Sequence, residues 1–420
     1  MNRNDRRVVG LVMASHALVH TYELSVPILV SIWLTEFATT PARLGVVVTV
    51  GMGLFGLGAL PGGVLSDLYG SQRLISACLA GMGLSFLVLG MAPGVPAVAV
   101  ALVLWGVAAS VYHPSGLSLI STGVTQRGRA FAYHGMAGNA GIAAGPLLTT
   151  LLLLAFDWRT VVQLLAAPAF VAFAASLVVD IEEGQAVADA GAAAADGDGA
   201  SAADSATDAD DRPSPPDSLG AFLSTSRTLF AGSFVLVFLI VMCSGLYYRG
   251  VLTFLPDLLA GLDAFSPVTV AGVQQQPTRY LYAGLLTVGV FGQYLGGRLT
   301  DRIAPERGIA VAFACLAVLA VGFLPVARLG VAPLLAVSAL LGFLLFVVQP
   351  LYQATVAEYT PAEARGLSYG YTYLGVFGVG ALGATVAGAV LTYASPMALF
   401  GVLAGFAAVA AALGAVLARR

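Results

Sequence analysis

The stretch from Leu74 to Gln126 reads LISACLAGMGLSFLVLGMAPGVPAVAVALVLWGVAASVYHPSGLSLISTGVTQ, 53 residues with no Asp, Glu, Lys or Arg. A helix crosses the hydrocarbon core of a bilayer in about 20 residues. The run is long enough for two crossings, and Pro93-Gly94-Val95-Pro96 near its middle supplies the turn between them. A second run of 53 residues, Gly366 to Ala418, is built the same way and turns at Ala394-Ser395-Pro396. In lipid every backbone polar group must be paired inside the protein, so runs of this length read as helices. The short alternating strands of a membrane barrel are not seen.

The rest of the chain follows the same pattern. Its 420 residues are 58% hydrophobic and 10% charged, with a mean hydropathy of +0.89, whereas a soluble domain carries about 25% charged residues. So few charges cannot cover a water-facing surface, which argues against a soluble enzyme, a nucleic-acid binder or a disordered chain. Twelve spans are expected, near residues 8–35, 43–66, 74–92, 97–122, 130–154, 159–179, 228–256, 280–299, 308–327, 332–357, 365–391 and 397–417. The expected fold is an all-α membrane protein, with a six-helix bundle over 1–180, an acidic disordered cytoplasmic linker over 181–227 and a second six-helix bundle over 228–420. Of the 22 acidic residues, 11 lie between Asp180 and Asp217, so the acidic balance describes one segment and the membrane body is mildly basic.

All 19 basic residues are Arg. With both termini in the cytoplasm, 14 of them fall inside, 4 (Arg43, Arg159, Arg279, Arg328) outside, and Arg249 within a span. That asymmetry sets the orientation, in the cell membrane. Arg3, Arg6 and Arg7 before an apolar run also fit a signal peptide, but His20 and Glu23 interrupt the run and favour a first transmembrane helix. Cys78, Cys243 and Cys315 have no metal or disulfide spacing.

The two halves carry matching landmarks. Gly62-Gly63-Val64-Leu65-Ser66-Asp67 matches Gly296-Gly297-Arg298-Leu299-Thr300-Asp301, His113-Pro114 matches Gln349-Pro350, and Arg129 matches Arg365, all at an offset of 234 to 236 residues. This loop and its repeat resemble those of major facilitator superfamily transporters, whose loop between spans 2 and 3 reads Gly-x-x-x-Asp-(Arg/Lys)-x-Gly-(Arg/Lys)-(Arg/Lys). Here Leu68, Ser71 and Gln72 stand where bases or their neighbours are usual, and Ala304 replaces a Gly in the second copy. The resemblance implies a gating role for Asp67 and Asp301 with Arg73, Arg129 and Arg302, Asp67 latching the halves in the outward-facing state. Gly141-Ile142-Ala143-Ala144-Gly145-Pro146 is similar to the antiporter motif of span 5. Val111-Tyr112-His113-Pro114, Gly138-Asn139-Ala140-Gly141 and Tyr247-Tyr248-Arg249-Gly250 resemble the fosmidomycin-resistance-type exporters, although span 4 has no Arg.

Polar groups inside the spans point to function, because they are costly in lipid and face a cavity or a partner. His16, His20 and Glu23 recur at i, i+4 and i+7 on one face of span 1. His16 and His134 read as interhelical hydrogen bonders, and Glu23, His20 and His113 as proton-coupling candidates. In the family resembled, spans 1, 4, 7 and 10 surround the substrate cavity, which implies lining by Tyr22, Tyr112, Tyr247, Tyr248, Arg249, Gln349, Tyr352 and Gln353.

No phosphate-binding loop, metal-ligand spacing or nucleophile with a base is present, so no catalysis, cofactor or metal is expected. The expected function is a monomeric secondary transporter exporting a small molecule across the bilayer against protons or another coupling ion. An uptake symporter or facilitator and a non-transporting receptor on the same scaffold remain open.

The linker's expected contribution is reach. Replacing residues 185–215 with a Gly/Ser segment of equal length is expected to leave transport unchanged, as measured by flux in a normally expressed variant.

Overall fold

The computed structural model describes residues 1–186, 219–262, 264–265, 268–270, 273–361 and 364–420. Most of the linker lies outside the described residues. The helices are α1 (Arg3–Glu36), α2 (Pro41–Leu57), α3 (Ala59–Tyr69), α4 (Ser71–Gly90), α5 (Val95–Ser110), α6 (Tyr112–Gly123), α7 (Arg127–Leu152) and α8 (Trp158–Val178). After the linker come α9 (Leu219–Ala231), α10 (Phe234–Leu252), α11 (Leu255–Ala260), α12 (Pro277–Thr300), α13 (Pro305–Ala327), α14 (Val331–Glu358), α15 (Arg365–Tyr373), α16 (Leu382–Tyr393) and α17 (Pro396–Leu417). A π-helical turn, Leu374–Val379, follows α15. A short antiparallel pair, β1 (Val268–Val270) with β2 (Val273–Gln275), precedes α12.

Local chemistry sets the ends. Thr40, Asp157 and Ser395 cap α2, α8 and α17 through side-chain oxygens, and Pro41 and Pro396 sit in the first turns, where a missing N–H costs nothing. Asp157 lies in a turn between spans, and the hydroxyl and N–H of Thr160 hold its carboxyl below the usual range. Span 4 is split at Val111, because Pro114 has no N–H for the Ser110 carbonyl.

Among the described residues nine helices are long and apolar enough to cross a membrane, and the pair α2–α3, bent by 45°, makes a tenth crossing if taken as one span. The expected spans 5 and 8 are helical along their lengths as α7 and α12 but more polar, carrying His134 and Asn139 or Gln293. They pack against each other between the halves, so part of each surface is spared from lipid. Two expected boundaries shift. Span 7 ends at Leu252, with α9 preceding it and α11 following. The expected linker is structured at both described ends: 181–186 packs on the first bundle, where Asn4 Nδ2 donates to the Gly123 and Glu182 carbonyls, and 219–227 is helical.

Helix pairing repeats across the linker. Spans 1 and 5, 2 and 4, and 3 and 6 pack together in the first half, as α1–α7, α2–α5 and α4–α8. Spans 7 and 11, 8 and 10, and 9 and 12 do so in the second, as α10–α16, α12–α14 and α13–α17. Each half buries its own aromatic core, with Trp33, Trp105 and Phe86 in one and Phe234, Phe313 and Phe323 in the other.

The halves meet through small residues on the face away from the termini. A Cβ on Gly45 of α2 would run into the Ala384 carbonyl of α16. Thr49 Oγ1 donates to the Ala381 carbonyl at 2.8 Å, and the Ala42 N–H donates to Thr392 Oγ1 at 2.9 Å. Overpacking costs about 1–3 kcal/mol. Gly45→Leu is therefore expected to shift the population away from this closed form, read as a longer distance between spin labels on α2 and α16.

Candidate functional site

The site is built on α1, whose His16, His20 and Glu23 are 7%, 8% and 1% exposed. They fit because α7 presents small residues to them. A Cβ on Gly138 would enter the His16 ring, and Gly141 lies directly on the Ala17 carbonyl. The motif over Gly141–Pro146 thus holds two helices at close approach.

A continuous hydrogen-bonded chain crosses the site. His16 Nδ1 donates to the His134 carbonyl at 2.8 Å. His16 Nε2 faces His20 Nε2 at 3.1 Å, and His20 Nδ1 meets Glu23 Oε2 at 2.6 Å. Arg249 Nη2 of α10 then donates to Glu23 Oε1, joining the two halves. A carbonyl oxygen only accepts, so His16 Nδ1 carries its hydrogen. The facing Nε2 atoms need one hydrogen between them, and the His20–Glu23 contact needs another. Two neutral imidazoles and a carboxylate are one hydrogen short of that requirement. In this geometry the chain holds one extra proton, and losing it sets two lone pairs against each other.

Around the chain lies a cavity of about 610 Å³ lined by residues of both halves. Its walls come from α1, α6, α7, α10, α12, α14, α15 and the π turn. Leu117 and Ser121 near the end of α6, Phe131 near the start of α7, Gln353 and Tyr369 place it toward the face that carries the termini. With the opposite face sealed by α2 and α16, the cavity opens on the terminal side.

The structure brings together many of the residues singled out from the sequence. His20, Glu23, His113, Tyr248, Gln349, Tyr352 and Gln353 line the cavity, and Arg249 reaches it through Glu23. The His113 ring lies 5.3 Å from that of His16 and 5.7 Å from that of His20. Three expected tyrosines point elsewhere. Tyr22 donates to the Leu165 carbonyl at 2.6 Å and stacks on Phe86, Tyr112 donates to the Val12 carbonyl at 2.6 Å, and Tyr247 turns toward the Leu316 carbonyl. Each satisfies its hydroxyl inside one bundle, because neighbouring helices fix the rotation of its own helix. His16 and His134, read as structural, line the cavity as well. Sequence reading missed Asn139, Gln293, Tyr369, Tyr373 and Phe377. Gln293 and Asn139 carried a signal, as amides in apolar spans; the aromatic residues carried none.

The expected gating residues are not joined. Asp67, Arg73, Asp301 and Arg302 are exposed and make no side-chain hydrogen bond or ion pair among the described residues. Arg129 donates instead to Tyr133 Oη, at 3.0 Å from Nε and 2.9 Å from Nη2. The loop is tied by Glu183, which accepts from the Ser71 and Gln72 N–H groups at 2.8 and 3.0 Å. Gly70, at φ +86°, precedes that helix with no side-chain oxygen to cap it, which was the available signal.

For a metal, His16, His20 and His113 are the grouping among the described residues whose ring nitrogens lie within 4.8 Å of one another. Two of those nitrogens are already paired in the chain described above.

The sequence profile described as Major Facilitator Superfamily matches residues 12–384 and 281–420. The chain belongs to that family of membrane transporters. A bacterial homolog of the human lysosomal transporter Spinster, in an inward-facing and unoccupied conformation, superposes with a TM-score of 0.74 at 15% identity, covering 100% of this chain and 98% of the other. The nucleoside transporter NupG superposes with a TM-score of 0.72 at 13% identity, covering 98% and 99%. Puromycin resistance protein pur8 of Streptomyces alboniger is 37% identical over 108 residues, 25% of this chain and 22% of that protein. The chain thus matches about a fifth of that relative's length.

Removing one member of a buried ion pair costs about 3–5 kcal/mol, whereas replacing both is close to neutral. Arg249→Gln is expected to lower the thermal unfolding midpoint in detergent, and Glu23→Gln/Arg249→Gln to recover most of the loss.

Proposed function

We propose that this protein exports a small organic molecule across the cytoplasmic membrane in exchange for protons. It acts as a monomer of two six-helix bundles, with both termini in the cytoplasm. The observation that carries this reading is the chain from the His134 carbonyl through His16, His20 and Glu23 to Arg249, which joins the halves and whose contacts call for one hydrogen more than two neutral imidazoles and a carboxylate supply.

Under this reading the cavity faces the cytoplasm. A proton that entered from outside leaves through His16 and His20, which border the cavity. Its departure breaks one link of the chain and frees polar atoms for cargo. Cargo and proton then oppose each other's binding, and such opposition is reciprocal. Glu23 is the coupling carboxylate, His20 and His16 share its proton, and Arg249 is its partner across the interface. His113 borders this chain without a link in it. Asp67, Arg73, Arg129, Asp301 and Arg302 close the cytoplasmic side when the cavity turns outward. The puromycin resistance relative supports export, over the part of the chain it matches.

The test uses proteoliposomes with an imposed pH gradient and a panel that includes puromycin, a cationic dye, an anionic dye and an uncharged aromatic amide. At least one compound is expected to move against its gradient in exchange for protons. Glu23→Gln, and the better-packed Glu23→Gln/Arg249→Gln, are expected to abolish that accumulation while retaining passive exchange. Wild-type accumulation by either variant removes Glu23 from coupling. Movement of cargo and protons in the same direction replaces export with symport.

A further inference from the structure

We propose that the cargo is an uncharged planar aromatic or heteroaromatic molecule carrying a carboxamide- or lactam-like pairing of donor and acceptor. This rests on the transporter reading above and concerns what the cavity recognises.

Charge comes first. Glu23 is the carboxylate among the described lining residues, and both of its oxygens are engaged, one by His20 and one by Arg249. A fixed cation entering the cavity would find no free anion and would lie beside Arg249. Once the extra proton has left to make way for cargo, an anion would meet neutral imidazoles and a guanidinium already neutralised by Glu23. Either charged cargo loses its hydration without a free counter-charge, and burying an unpaired charge is costly.

The walls supply the second observation. His113, Tyr373 and Phe377 form an aromatic surface, with Tyr373 and Phe377 inclined by 14° at 5.9 Å and the His113 ring 5.0 Å from that of Tyr373. Flat rings stack on such a surface whatever their substituents.

Unmet hydrogen bonds are the third. Among the described residues, His134 Nε2 and Gln293 Oε1, on side chains that line the cavity, are buried without a partner. They comprise an imidazole nitrogen of either sense and an amide acceptor. Buried polar atoms are normally paired, and an unpaired one costs free energy until something meets it. Gln349 and Gln353, one turn apart on α14, add amide groups of both senses. Walls carrying the amides of Gln293, Gln349 and Gln353 match a molecule that donates and accepts along one edge. The volume, about 610 Å³, lies within the roughly 300–1,000 Å³ typical of drug-sized ligands.

The experiment is calorimetric titration of the purified, full-length protein with three matched probes. They are quinoline-3-carboxamide, its N-methylquinolinium cation and quinoline-3-carboxylate. The uncharged amide is expected to bind about tenfold or more tightly than either ion. Tyr373→Leu is expected to weaken it about tenfold, the scale of losing one aromatic stacking partner, while Tyr373→Phe keeps it. Gln349→Glu, which adds a free carboxylate, is expected to move the preference to the cation. Phe291→Leu, on the outer surface, is the control and leaves binding unchanged. Tighter binding of either ion, equal binding of all three, no binding of any, or unchanged binding by Tyr373→Leu overturns the proposal. Gradient-driven accumulation of some other compound in proteoliposomes would leave the transporter reading standing, so the two failures are separable.

Discussion

The structure depends on one buried ion pair. Glu23 lies inside α1 and Arg249 in the last turn of α10, one in each half, at 1% and 4% exposure. Taking a charge out of water carries an effective penalty of several kcal/mol per ion, so neither residue is tolerated alone at this depth. Their pairing makes the interface between the halves electrostatically specific. Whatever changes the charge on Glu23 or competes for Arg249 acts on one of the contacts that join the halves.

The pair is seated by packing with little polarity of its own. Small residues of α7 lie on the carbonyls of α1 and leave room for the His16 ring, and the Gly45 region of α2 does the same against α16. Without a hydrophobic force between helices in lipid, such close approach and the hydrogen bonds across it supply the association. The two contacts have different consequences. The one between α1 and α7 is internal to a bundle and fixes the geometry of the histidines. The one between α2 and α16 lies between bundles on the face away from the termini, and it seals that end of the cavity. Spans 5 and 8 are less apolar than their neighbours because they meet each other and the cavity.

Much of the architecture was legible in order along the chain. Hydropathy runs, Pro and Gly turns and the repeated Gly-Gly-x-x-x-Asp loop need no tertiary information, because lipid forces each run to satisfy its own backbone as a helix. The intramembrane charges were legible for the same reason: Glu23 and Arg249 are too costly to be there without partners. The i, i+4, i+7 spacing of His16, His20 and Glu23 placed them on one face before any neighbour was known.

What the sequence could not decide was the rotation of each helix about its axis and the state of the interface. Tyr247 and Tyr248 are adjacent in the chain, yet one turns into its own bundle and the other faces the cavity. Tyr22 and Tyr112 turn inward for the same reason, since packing against α8 and α1 gives their hydroxyls carbonyl partners. Glu183 reaches Ser71 only because 181–186 folds back on the first bundle, a contact across more than a hundred residues. Asp67 stands exposed, with no side-chain partner among the described residues. Hydropathy and spacing are local properties and can be read in one dimension. Helix rotation, long-range capping and the side on which the cavity opens are set by competing contacts between distant segments, and only the tertiary structure decided them.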